Sequence, residues 1–187
     1  MEGLSKKETY TAFLKESINN VGAEFYKIKT TYSYIVRERV FCYELYHQMR
    51  ILQNKFGLDS LSLSAEIDKR GHRDINIQDQ RNPDFVFHKY GTFSQNEIVI
   101  EVKGKINRQN FKKDFETLDL YYTRYNYRYA YFILYNYGLS DFKKIVLNGL
   151  ELKKFMEFEV NKDITIICKK DFRSGCEIAI LNDLIGN

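Results

Sequence analysis

Asn82-Pro83-Asp84-Phe85-Val86-Phe87 and, a short way downstream, Glu97-Ile98-Val99-Ile100-Glu101-Val102-Lys103 decide how this chain folds. Both are apolar runs of strand length. The first opens on an aspartate; the second closes on a glutamate and a lysine. Successive side chains of a strand point to opposite faces, so Glu101 and Lys103 share one face while Ile100 and Val102 point the other way. If the two strands pair, Asp84, Glu101 and Lys103 meet at one spot on a mostly apolar sheet. Pro83 is the only proline in the chain, and a proline just ahead of a strand removes no ladder hydrogen bond.

Working outward, Leu61-Ser62-Leu63-Ser64-Ala65-Glu66-Ile67 alternates as a half-buried strand does. The polar stretch from Asp68 to Arg81 reads as a loop. The strands Asp84 to His88 and Glu97 to Lys103 are joined by a turn around Gly91, and Gly104 ends the second. A helix follows from about Arg108 to Tyr125, with Phe111, Phe115, Leu118 and Tyr122 on one face. Tyr127 to Tyr137 is apolar on both faces, which marks a central strand. Upstream, a helix from about Tyr34 to Asn54 stops near Gly57. Its apolar stripe is Val40, Phe41, Leu45, Met49 and Leu52, with Glu44 at the edge.

The ends add simpler elements. Ser5-Lys6-Lys7-Glu8 has capping-box spacing and opens a helix to about Asn19. A helix over about Leu139 to Glu157 precedes two short strands, Ile164 to Cys168 and Cys176 to Leu181, around a turn at Ser174-Gly175. Three consecutive strands with short connections form an antiparallel meander, and a helix before the next strand permits a parallel crossover. The expectation is an α/β protein of one domain spanning 1–187: a mixed central sheet flanked by helices.

Composition narrows the classes. The chain has 187 residues, 44% of them hydrophobic, enough for a sizeable core. The longest dense apolar run, Ala130 to Tyr135, is too short to span a bilayer. The N-terminus has no apolar segment behind a basic start and so does not read as a signal peptide. Glu2 follows the initiator, which excludes N-myristoylation. Cys42, Cys168 and Cys176 show no CxxC spacing. Scattered, odd-numbered thiols point to a reducing, cytoplasmic setting. His47, His72 and His88 lack cysteine partners at zinc-ligand spacing. A net charge of +4 is compatible with a polyanionic partner without requiring one. The lysine pairs at 112–113, 143–144, 153–154 and 169–170 read as solvated helix faces and turns.

The chemistry lies at the strand ends. Phosphodiester hydrolysis needs an activated water, neutralisation of charge on the phosphate and help for the leaving oxygen; a hard divalent cation serves all three. Mg²⁺ takes oxygen ligands, keeps several waters and needs only one or two carboxylates. Asp84 and Glu101 supply the carboxylates, the Val102 backbone carbonyl a further oxygen, and Lys103 orients the attacking water and balances charge. D/E-x-K alone is a weak signal: Asp141-Phe142-Lys143 and Glu151-Leu152-Lys153 also match. Those two fall in the expected C-terminal helix, where positions i and i+2 do not face each other. Only Glu101-Val102-Lys103 closes a strand after a Pro-Asp.

Pro83-Asp84 … Glu101-Val102-Lys103, with the order helix, three strands, helix, strand over about 34–137, resembles the PD-(D/E)xK nuclease superfamily. The resemblance implies a restriction-endonuclease-like αβββαβ core and catalytic roles for Asp84, Glu101 and Lys103. It implies Mg²⁺ as cofactor, with Mn²⁺ able to substitute, and a nucleic-acid substrate, with DNA favoured. Many members also carry a glutamate on the first core helix near the metal. Glu44 is the matching position, with Glu38 the alternative and Glu44 preferred for its place beside the stripe.

Other residues carry weaker signals. Arg70, His72 and Arg73 in the loop after the first strand could contact phosphates, although a plain polar loop accounts for them slightly better. His47 reads as a core-edge histidine. Asp114, beside the apolar face of the second core helix, reads as capping or solvated. The tyrosines of the central strand read as core rather than as a stacking platform; Tyr121, Tyr122 and Arg124 are the better candidates for backbone contact. A chain of this size has little room for a separate recognition module, so a homodimer or partner subunit is expected if two strands are cut. The alternative is a catalytically inactive module of the same fold that binds nucleic acid or a protein partner.

Overall fold

The computed structural model describes residues 4–66, 81–89, 95–106, 108–144 and 163–185. The chain order is α1 (Lys6–Asn19), α2 (Ala23–Tyr26), β1 (Ile28–Lys29), β2 (Tyr34–Ile35), α3 (Glu38–Leu52), β3 (Ser62–Ala65), β4 (Phe85–His88), β5 (Asn96–Lys103), α4 (Arg108–Thr123), β6 (Tyr129–Tyr135), α5 (Leu139–Phe142), β7 (Thr165–Lys169), β8 (Glu177–Ile180) and a last helix, here α6 (Leu181–Ile185). Arg70, His72, Arg73, the Gly91 turn and the expected helix beyond Lys144 lie outside the described residues.

β3 to β8 form one mixed six-stranded sheet in sequence order. β3, β4 and β5 are antiparallel neighbours, β5, β6 and β7 run parallel, and β8 returns antiparallel. The expected meander and crossover are therefore present. β5 and β6 lie at the centre, and β5 is buried along its length except at Lys103. Parallel strands covered on both faces read as continuous apolar runs, which is how Ile98–Ile100 and Ala130–Leu134 read.

Alternation sorts the core into two layers. Ile98, Ile100, Val102, Tyr131, Ile133 and Tyr135 pack with Phe13, Leu14, Phe41 and Leu45 of α1 and α3. Val99, Ala130, Phe132 and Leu134 pack with Phe111, Phe115, Leu118 and Tyr121 of α4. A register shift between Phe87 and His88 bends the β4–β5 pair near its far end. α1 carries the expected capping box, with Ser5 N–H on Glu8 Oε2 (2.8 Å) and Glu8 N–H on Ser5 Oγ (3.3 Å).

Several expectations need correction. α3 begins at Glu38, not near Tyr34; Tyr34 and Ile35 pair with Lys29 and Ile28 as a small hairpin instead. Aromatic and β-branched residues favour extended backbone, and Thr30 closes the turn by hydrogen bonding to Ser33. α2 and α6 carried no sequence signal that periodicity could detect, being under two turns long. Lys169, expected on a solvated turn, is 2% exposed and donates to Asn19 Oδ1 at 2.8 Å. Tyr121 is fully buried, with its hydroxyl on the Arg81 carbonyl (2.9 Å), so it is core rather than a surface contact. Tyr127, Tyr131 and Tyr135 are buried as expected. All three cysteines are free thiols. Among the described residues no helix is long and apolar enough to cross a membrane.

Candidate functional site

The C-terminal end of β5 is where both helical layers meet the sheet. Glu101 and Lys103 have the same parity as Val99 and so face α4. Asp84 immediately precedes β4. Its segment is held from below by Arg81, which ion-pairs with Glu116 of α4 at 2.8 Å. Asp84 Oδ2 accepts the Val102 N–H at 2.7 Å, which pins the carboxylate beside the strand end. Glu101 lies close enough to Asp84 for each carboxyl to perturb the other.

Lys103 sits at the centre of the charges. Its Nζ donates to Glu38 Oε1 (3.0 Å) and to the Val102 carbonyl (3.2 Å), and stands 3.4 Å from Asp114 Oδ2. Glu38 belongs to the first turn of α3, and its other oxygen accepts the Gly104 N–H at 3.3 Å. Gly104 must be glycine here, because a Cβ would overlap the Tyr135 ring. Tyr135 in turn stacks on Phe41, one turn after Glu38, at 3.8 Å between centroids. The start of α3 is thus clamped to the end of β5.

The electrostatics are lopsided: four carboxyl groups surround one ammonium. Burial pushes Glu101 well above the usual carboxylate range, and the negative neighbours Asp84 and Asp114 add to this. Asp84 is raised by burial against the pull of Lys103 and the Val102 N–H. Asp114, 6% exposed, is raised to about 7 by burial, again against Lys103. Burial pulls Lys103 down, but Asp114, Asp84, Glu38 and Glu101 together carry it above an ordinary lysine. An ammonium so surrounded stays charged.

The sequence-expected residues divide clearly. Asp84, Glu101, Lys103 and the Val102 backbone converge. Glu44 does not join them through any hydrogen bond or ion pair seen here: it accepts from Gln48 Nε2 at 2.6 Å on α3 itself. Glu38 is the helix carboxylate at the cluster, because α3 starts there and its first turn is what abuts β5. Asp114 was expected to be capping or solvated and is instead buried against Lys103. Its place between Phe111 and Phe115 was the available signal, since an acid on an apolar stripe is seldom buried unpaired. His47 is exposed.

Could this set hold a metal? Asp114 Oδ2 is shielded from solvent yet accepts no hydrogen bond, and the surplus of acidic oxygens over cations suits a hard divalent ion. Asp84, Glu101 and the Val102 carbonyl are the donors that fit. Among the described residues, no group of three or more His, Cys, Asp or Glu side chains stands ready around one point, and a set of two carboxylates and a carbonyl is smaller than that. No family model, curated protein or solved structure matches this chain.

Proposed function

We propose that this protein is a metal-dependent nuclease of the PD-(D/E)xK type, built on a restriction-endonuclease-like core. The observation that carries the reading is the cluster itself: Asp84, held on the Val102 N–H, and Glu101 beside Lys103, with Glu38 and Asp114 adding further negative charge. The run α3-β3-β4-β5-α4-β6 follows the αβββαβ order that the sequence led one to expect.

Mg²⁺, when bound, would supply Lewis-acid charge for the phosphate and a more acidic water. Asp84, Glu101 and the Val102 carbonyl would hold it, and Mn²⁺ would substitute. Lys103, fixed by Glu38 and Asp114, would hold its ammonium toward the attacking water and the phosphate oxygens. Glu38 would position Lys103 rather than touch substrate. The substrate is nucleic acid, with DNA favoured.

The test is cleavage of duplex, single-stranded, branched DNA and RNA with Mg²⁺ or Mn²⁺. Cutting of at least one substrate by the parent, and by none of Asp84→Ala, Glu101→Ala and Lys103→Ala, is the expected result. A parent that cuts nothing contradicts the reading. The second reading is a non-catalytic binding module; the Lys103 ammonium resting on the Val102 carbonyl favours it, because that occupies a proposed metal donor.

A further inference from the structure

A cavity of about 290 Å³ opens beside Asp84, between α3 and the ends of β3 and β4. Its lining has two parts. Glu38, Cys42, Asp84 and Phe85 form the inner side, next to the carboxylate cluster. Arg39, Tyr43 and Glu66 form the outer side. Arg39 and Tyr43 lie one turn apart on α3 and therefore on the same helix face.

Tyr43 shares its exposure with Tyr32 and Tyr34, but of these three it is the one that lines the cavity. Tyr127, Tyr131 and Tyr135 are sealed in the core, whereas Tyr43 is 65% exposed. An aromatic ring left in water at the mouth of a cavity presents an open π-face. Arg39 meets Glu66 at 3.4 Å, with both side chains more than half exposed. Such a pair is held weakly and exchanges readily for another anion. Glu66 itself is anchored by its backbone, with its N–H on the Asp84 carbonyl at 3.2 Å and a positive φ of 45°. The cavity thus has a fixed acidic floor, a releasable guanidinium and an exposed aromatic rim.

We propose that this cavity is the subsite for one unpaired nucleotide next to the scissile phosphate, with its base on Tyr43 and an adjoining phosphate on Arg39. Aromatic rings stack on any base and arginine takes phosphate oxygens. A base inside a duplex is already stacked on both sides and offers no face to Tyr43. The volume lies at the small end for ligand cavities and suits one nucleotide rather than a duplex segment. The substrate class is therefore a single strand or an unpaired end. This inference rests on the nuclease reading, because Asp84 forms the catalytic end of the same cavity.

The test is fluorescence anisotropy with Ca²⁺ in place of Mg²⁺. The probes are labelled oligothymidylate and oligouridylate of about 12 nucleotides, and a blunt duplex of the same length. Tyr43→Ala is expected to bind the preferred single strand about tenfold more weakly than the parent. Tyr43→Phe keeps the ring and is expected to bind within about twofold, as is the duplex to every variant. An unchanged melting curve for Tyr43→Ala shows that the fold is intact. Equal single-strand binding by Tyr43→Ala and the parent overturns the proposal, as does an equal loss on the duplex or no binding by the parent. Parallel Mg²⁺ cleavage of the same probes separates the two claims. Cutting without a Tyr43 effect removes the subsite and leaves the nuclease reading. A Tyr43 effect on binding without cutting of any probe removes the nuclease reading, and with it the place beside a scissile phosphate, and leaves Tyr43 as a single-strand contact.

Discussion

Glu97 and Glu101 are buried glutamates at opposite ends of β5, and their surroundings are opposites. Glu97, 4% exposed, accepts from Tyr10 Oη at 3.0 Å and lies 3.5 Å from Lys6 and 3.7 Å from Arg128. One acid there meets two cations and a hydroxyl. Glu101, 5% exposed, shares its end of the strand with Asp84, Asp114 and Glu38 around the single ammonium of Lys103. A buried charge kept for stability is matched, as Glu97 is. A cluster left short of positive charge costs free energy in the folded state, and groups perturbed in this way gather at functional sites. The difference is the reason for placing the proposed active site at the C-terminal end of β5.

The largest test of that contrast is catalytic. Lys103→Ala and Glu101→Gln are each expected to lower Mg²⁺-dependent cleavage by about 100- to 1,000-fold, while Glu97→Gln leaves the rate within about twofold, measured on one labelled substrate. A comparable loss in Glu97→Gln would erase the distinction between the two ends.

Stability should move in opposite directions. Without metal, Glu101→Gln removes an acid from an overcrowded cluster and is expected to raise the melting temperature. Glu97→Gln loosens matched pairs and is expected to cost about 1 kcal/mol, or roughly 2–4 °C. Gly104→Ala is expected to cost more, about 1–3 kcal/mol, by forcing Tyr135 off Phe41. Thermal melts in a chelating buffer measure all three.

The pH dependence follows from the same surplus of acid. Burial raises the folded-state pKa of Asp114 to about 7, above the usual aspartate range. A carboxyl raised in this way favours folding while it is protonated in both states, and that contribution is lost as pH rises from near 4 through about 7. Melting temperature of the metal-free protein is expected to fall across that window, and Asp114→Asn to flatten the fall. A curve equally steep in Asp114→Asn would exclude this origin.

The smallest expected effect concerns α3. Glu38→Ala releases Lys103 on one side and is expected to slow cleavage about tenfold, whereas Glu44→Ala, which loses only its bond to Gln48, is expected to change it less than about twofold. Equal losses would restore Glu44 to the site.

These two glutamates also mark how far the sequence was legible. β4, β5 and β6 could be read because alternation and a run apolar on both faces are local properties. The shared face of Glu101 and Lys103 follows from strand parity, and their meeting with Asp84 from the pairing of β4 with β5. Glu38 ranks behind Glu44 in the sequence because a helix expected to start near Tyr34 puts Glu38 inside it and leaves Glu44 at the edge of the apolar stripe. The start of α3 depends on a hairpin too short for periodicity to show. Asp114 differs: its place on the apolar stripe signals burial, but its partner, Lys103, comes from another element, and no local pattern announces that contact. Glu97 shows the converse. Its face is turned by the register shift beside His88, so parity would have grouped it with Glu101, whereas it meets Tyr10 in the layer of α1.

Titration calorimetry with Mn²⁺, run on the parent, Glu101→Gln and Glu97→Gln in two buffers of different protonation heat, tests the central claim most directly. The account predicts one binding event with proton release in the parent and in Glu97→Gln, and its loss in Glu101→Gln. Absence of binding in the parent, or the same binding in Glu101→Gln, would contradict it.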